Sequence, residues 1–214
     1  KWIKGDLAAL DLIICRLGHE PPMSKQTLII DDAWYASVMA ESPEGYCEEI
    51  LIGAETPVRI TKSSGTTGQV KWLMHTGRFY RSMLESYNLR ACLNRRSRCL
   101  LTMGLHIQSF FWFSVACLRM GGTIVIPGPQ PVAQIIEQFA ITHCLFLPRD
   151  LARVVDSLPA DYVKPANLTV MTISGPVSKA ARARVQQKLT DDLIVGYGTS
   201  EVGVIGTVGD DGIG

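Results

Sequence analysis

Residues 61–71 read TKSSGTTGQVK. Ser63, Ser64, Thr66 and Thr67 set four hydroxyls around two glycines, Gly65 and Gly68, and Lys71 closes the run. Hydroxyls are short donors, glycines let backbone N–H groups approach a ligand closely, and a lysine brings positive charge. Together they suit the oxygens of a polyphosphate. The same composition also suits a solvated connector, because Ser, Gly and Thr dominate loops. Spacing separates the known Gly-rich grips. A Walker-type loop needs its lysine directly after the second glycine, whereas Lys71 stands three residues beyond Gly68. A dinucleotide G-x-G-x-x-G sought in GYGTSEVG, from Gly196, meets Glu201 at the third glycine position, where an acid would repel a pyrophosphate. No G-x-S-x-G nucleophile elbow is present. What remains is a grip made of freed amides at Gly65 and Gly68, hydroxyls, and Lys71.

Such a loop needs a strand before it and a helix after it. PVRI precedes the loop, and a helical pattern begins near His75. From about residue 55 onward, short aliphatic or β-branched runs alternate with stretches of helical period. Strands are expected at 57–61, 98–102, 123–126, 143–147, 168–173 and 193–196, and helices at 75–93, 109–118, 132–140, 151–157 and 178–189. Val132, Ile135, Ile136 and Phe139 form the clearest helical face. The alternation predicts an α/β fold, a mainly parallel β-sheet flanked by helices, with ligands bound where loops leave the carboxyl ends of strands. Residues 1–55 are less regular, with a strand-like TLIIDD before a helix-like AWYASVMA. Both ends read as cut, so a fragment is expected.

With 214 residues, 47% hydrophobic, 19% charged and a net charge of +1, the chain reads as a soluble globular protein with a buried core. That balance gives no support to a nucleic-acid surface, and the cluster Arg90, Arg95, Arg96 and Arg98 reads as a solvated turn. The six cysteines form no CxxC pair and no His/Cys ligand spacing, which predicts reduced thiols, a cytoplasmic setting and no structural zinc. Residues 99–118 are nearly apolar enough to span a bilayer, but Gly104, His106, Gln108 and Ser109 interrupt them. A buried strand, loop and helix is expected there, and no transmembrane segment.

Residues 60–71, ITKSSGTTGQVK, resemble position by position the AMP-binding signature of the adenylate-forming superfamily of acyl-CoA synthetases, amino-acid adenylation domains and luciferases. Val70 stands where a proline is common. MGLHIQSFF resembles the segment that lines the acyl pocket, with His106 in the lining place. LTVMTISGPVSKAARARVQQKL resembles the strand, turn and helix bordering adenine, with Gly175, Pro176 and Val177 at the turn. GYGTSEVG resembles the family's YGxTE stretch: the resemblance implies that Tyr197 stacks on adenine beside Gly198, Ser200 replaces a threonine near the α-phosphate, and Glu201 holds Mg²⁺. Taken singly, His106 amid apolar neighbours reads as a core histidine and Tyr197 as core packing. Asp191 and Asp192 read as a turn before a strand.

The resemblance implies ATP-dependent joining of a carboxylic acid to the α-phosphate, giving an acyl-adenylate and pyrophosphate. ATP and Mg²⁺ would serve as cofactors, and CoA or a carrier-protein thiol as acceptor. The catalytic set would be Lys71, His106, Ser200 and Glu201, and residues 56–214 would be the AMP-binding core of a large N-terminal domain. The usual C-terminal lysine-bearing domain is not found before Gly214, so the isolated chain is expected to bind ATP weakly and adenylate poorly. Amino-acid-adenylating members place an aspartate where spacing from Gly121 and Gly122 puts Gln108, which disfavours an amino acid and points to a fatty or aryl acid for CoA thioester formation. The alternatives are an amino-acid adenylation domain and a degenerate, non-catalytic nucleotide-binding module.

Overall fold

The computed structural model describes residues 13–16, 18, 26–41, 52–62, 72–209 and 212–213. They fall into two units, Lys1–Leu51 and Ile52–Gly214. In the first unit β1 (Ile13–Arg16) pairs in parallel with β2 (Thr27–Ile30). Helix α1 (Asp32–Ala40) follows, its first turn capped by the Asp31 carboxylate, which accepts from Trp34 N at 2.7 Å.

The second unit begins with an antiparallel pair, β3 (Pro57–Lys62) and β4 (Trp72–Thr76), joined through residues 63–71. The order then runs α2 (Gly77–Ala91), β5 (Arg98–Leu101), α3 (Gln108–Arg119), β6 (Thr123–Val125), α4 (Val132–Gln138), β7 (His143–Phe146), α5 (Pro148–Ser157), β8 (Thr169–Thr172), α6 (Lys179–Lys188), β9 (Asp192–Thr199), β10 (Gly203–Gly209) and β11 (Gly212–Ile213). Strands β5 to β11 form one sheet in the order β11-β10-β9-β8-β7-β5-β6, parallel from β6 to β9 and antiparallel beyond. The α/β expectation is met, with strands and helices following one another as the alternating pattern requires.

Successive side chains in a strand point to opposite faces, and here both faces are buried. Cys99, Leu145 and Met171 pack with Met83, Leu84 and Tyr87 of α2 and Phe110, Trp112 and Phe113 of α3. Their neighbours Leu100, Cys144, Phe146 and Val170 pack with Ile135 and Ile136 of α4, Leu151 and Val155 of α5, and Val185 of α6. Burial on two sides explains why these strands read as continuous apolar runs. The near-membrane stretch divides into β5 and α3, and no helix among the described residues is long and apolar enough to cross a bilayer.

Two expectations need correction. His75 does not open a helix: WLMHT alternates outward Trp72 and Met74 with inward Leu73 and His75 as strand β4, and Thr76 then caps α2. The arginine cluster is not one solvated turn either. Arg95 and Arg96 are exposed, but Arg90 lies in α2 and Arg98 is half-buried, donating from Nε to the Phe139 carbonyl at 2.5 Å.

Candidate nucleotide site at the carboxyl edge of the sheet

Strands β5, β7, β8 and β9 run parallel, so their carboxyl ends share one edge. The loop after β5 carries His106 and the turn after β8 carries Gly175, Pro176 and Val177. Strand β9 outruns its neighbour: its pairing with β8 ends at Thr172 opposite Val195, and residues 196–199 continue as a hairpin with β10. Tyr197 and Gly198 lie on this extension, and Ser200 and Glu201 at its tip. At β8 the turn is close to it, since a Cβ on Gly196 would lie 2.9 Å from Ile173 Cγ2.

Glycine is structurally required in this hairpin. A Cβ on Gly198 would run into the carbonyl oxygen of Gly203 across the ladder. Gly203 itself has φ +79°, a left-handed conformation that suits glycine, and packs against Met83. Ile205 is extra in the register between Val204 and Gly206, a bulge that twists the ribbon. The result holds Tyr197 with 48% of its surface exposed, excluding core packing as its role. Glu201 is exposed, with no hydrogen bond or ion pair among the described residues. His106 is exposed rather than a core histidine, and its ring lies so close to Gly104 that a Cβ there would sit 2.5 Å from Nδ1. Exposed Pro176 and half-buried Gly175 and Val177 follow Ser174, whose φ of +69° stores local backbone strain.

Behind the tip lies a polar network. Gln108, the first residue of α3, donates from Nε2 to the Ser200 carbonyl at 3.2 Å, and the same nitrogen lies 3.2 Å from His75 Nε2. Thr61 Oγ1 is 2.9 Å from His75 Nε2. Only an N–H can face a carbonyl, which fixes the orientation of the amide. His75 Nε2 therefore faces the second amide N–H as an acceptor, its single ring lone pair shared with the Thr61 hydroxyl. That requires the neutral ring protonated on Nδ1, and burial, helped by the nearby Arg59 charge, pushes the His75 pKa below its ordinary value. The ring stacks on Phe79 at 4.5 Å and meets the edge of Trp112 at 6.1 Å. Arg59 spreads over Phe111, with Cζ 3.4 Å from the ring centroid, and donates to the Leu105 carbonyl at 3.1 Å in the loop that carries His106.

The structure thus brings His106, the Gly175 turn, Tyr197, Gly198, Ser200 and Glu201 to one edge of the sheet. Ser63, Ser64, Gly65, Thr66, Thr67, Gly68 and Lys71 lie outside the described residues; their flanks, Lys62 and Trp72, are partners in the β3–β4 ladder. Arg59, Thr61 and His75 were missed as site residues. Leu73 and His75 facing inward at a period of two was the available signal. Among the described residues no group of three or more His, Cys, Asp or Glu side chains could hold a metal. A single free carboxylate at Glu201 nevertheless fits Mg²⁺, which is commonly bound through one or two carboxylates together with substrate phosphates.

Comparison with known proteins agrees with this geometry. The family described as AMP-binding enzyme matches residues 9–213. The chain is 28% identical over 195 residues to 4-coumarate–CoA ligase 1 of Petroselinum crispum, covering 84% of this chain and 36% of that protein. It is 25% identical over 190 residues to a probable non-canonical nonribosomal peptide synthetase of Salinispora arenicola, covering 85% of this chain and 2% of that protein. It therefore spans about a third of the ligase and a small part of the synthetase. Among solved structures, a malonyl-CoA ligase with methylmalonyl-CoA and AMP bound superposes with a TM-score of 0.77 at 20% identity, over 96% of this chain and 45% of that one. The O-succinylbenzoate coenzyme A synthetase of Bacillus subtilis, in complex with ATP and magnesium ion, superposes with a TM-score of 0.72 at 18% identity, over 95% and 43% of the two chains. At such identities these two likenesses establish a shared fold.

Proposed function

Since the chain belongs to the AMP-binding enzyme family, we propose that it is the nucleotide-gripping part of a ligase that activates a carboxylic acid as its acyl-adenylate, en route to a CoA thioester. The observation that carries this reading is the β9–β10 hairpin, which puts an exposed Tyr197 ring and a Glu201 carboxylate unpaired among the described residues on the edge where a parallel sheet takes ligands. Residues 56–214 form the AMP-binding core and residues 1–55 its less regular N-terminal portion. The lysine-bearing domain would lie outside residues 1–214. The free thiols of Cys15, Cys92, Cys99, Cys117 and Cys144 support a reducing, cytoplasmic setting.

The chemical obstacle is repulsion between an anionic carboxylate and a polyanionic phosphate. Ser63, Ser64, Thr66, Thr67 and the amides at Gly65 and Gly68 would hold the β- and γ-phosphates, with Lys71 supplying charge. Tyr197 would stack on the adenine beside Gly198, the backbone at Gly175, Pro176 and Val177 would border it, and Ser200 would approach the α-phosphate. Glu201 would hold Mg²⁺, which when bound neutralises phosphate charge. The substrate carboxylate then attacks the α-phosphorus in line and pyrophosphate leaves, so no protein nucleophile is required. His106 would line the acyl side.

Gln108 carries no charge and commits its amide N–H groups inside the protein, which supports an aryl or fatty acid over an amino acid. Acid-dependent exchange of pyrophosphate into ATP, measured on the longest natural polypeptide carrying these residues across aryl, fatty and amino acids, tests the reading. Exchange with an aryl or fatty acid is expected. Exchange with amino acids alone would transfer the chain to peptide-synthetase chemistry, and nucleotide binding without any exchange would favour the non-catalytic module.

A further inference from the structure

The hairpin tip is the part of the site with least support. Among the described residues its one hydrogen bond to another element is Gln108 Nε2 to the Ser200 carbonyl; the bond from Val202 N to Thr199 Oγ1, at 3.4 Å, is internal to the hairpin. The second contact of the same nitrogen, His75 Nε2, lies on β4, and Thr61, which completes the network, lies on β3. These two strands are the ones that residues 63–71 join. Gln108 therefore ties the stalk of the hydroxyl-rich loop to the tip that carries Ser200 and Glu201. Its Oε1 is buried without a partner, so the side chain serves this tie and makes no other hydrogen bond among the described residues.

We propose that Gln108, acting through His75, is a positioning residue that sets the β3–β4 strand pair and the Ser200–Glu201 tip in one register. The proposal rests on the reading of this edge as a nucleotide grip. His75 must accept, which a neutral imidazole or a glutamine carbonyl can do and a leucine cannot. Gln108 must donate twice, which neither a methionine nor an ionised glutamate can do.

The test compares Gln108→Met, Gln108→Glu, His75→Leu and His75→Gln in the longest natural polypeptide carrying these residues. The readouts are hydrogen exchange at residues 197–205, ATP·Mg²⁺ affinity, and kcat and KM for pyrophosphate exchange. Both Gln108 variants and His75→Leu are expected to speed exchange at the tip about tenfold, the scale of one lost hydrogen bond. They should also lower kcat by about 10²-fold with little change in KM for the acid, as misplacement without lost binding requires. His75→Gln should stay near wild type in all three. Wild-type tip exchange and kcat in Gln108→Met would overturn the proposal, as would acceleration spread evenly over the whole chain, which would mark a merely structural role. If the wild type binds no nucleotide, the functional reading falls, while the exchange data still decide whether Gln108 anchors the tip.

Discussion

In the proposed chemistry Glu201 is the side chain that carries most weight, because it is exposed and unpaired among the described residues at the end of the β9–β10 hairpin. Replacing it by glutamine keeps the shape and removes the charge that would hold Mg²⁺. Glu201→Gln is expected to lower pyrophosphate exchange by about 10²-fold or more, with partial recovery at raised Mg²⁺ and unchanged stability. Unchanged exchange would remove the metal role. At this scale the sequence was informative through an ordered motif rather than through residue type: taken singly Tyr197 reads as core packing, and only the likeness of GYGTSEVG to the family's stretch gives it and Glu201 a ligand. The sequence was silent about the contact between Gln108 and His75, which joins positions 33 apart in the chain and follows no helical or strand period.

The hairpin also shows why some elements were legible and others not. Strands β5, β7 and β8 announced themselves because burial on both faces demands unbroken apolar runs such as RCLL and HCLF. The extension of β9 did not, since GYGTSEVG is poor in strand-forming residues and its pairing is decided by tertiary contact; nor did β10, GVIGTVG, whose β-branched residues are broken by three glycines and a bulge. The end of strand β4, His75 and Thr76, read as the start of the helix that follows because five alternating residues run directly into a 3.6-residue period. Close backbone approach at Gly198 makes the hairpin intolerant of a side chain. Gly198→Ala is expected to cost about 1–3 kcal/mol, as overpacking does, read as a lower urea midpoint, and to weaken nucleotide binding with it. A wild-type midpoint would mean the strands can separate without loss.

Across the whole molecule, acid sensitivity should come partly from two buried histidines kept neutral. His143 donates from Nε2 to the Ala91 carbonyl at 2.8 Å and accepts on Nδ1 from the Thr142 hydroxyl at 2.6 Å, and burial holds its pKa below the ordinary value, as it does for His75. A histidine whose folded pKa is depressed adds nothing to the pH dependence above its unfolded value of about 6.5. As pH falls below that value the unfolded chain takes up a proton that the folded chain refuses, so stability declines until the folded pKa is reached. The urea midpoint is expected to fall between pH 7 and pH 5, and His143→Gln, which keeps a donor for the Ala91 carbonyl, should flatten that slope. An identical slope in the variant would assign the acid loss to other groups. The central claim is that the carboxyl edge of this sheet grips a nucleotide through Tyr197 and Glu201. Calorimetric titration of ATP with Mg²⁺ into the wild type, Tyr197→Ala and Glu201→Gln tests it most directly. The account predicts one saturable, Mg²⁺-dependent site, weakened about tenfold by Tyr197→Ala, as loss of one stacked base implies, and stripped of its Mg²⁺ dependence by Glu201→Gln. No saturable binding in the wild type, or equal binding by all three proteins, would contradict it.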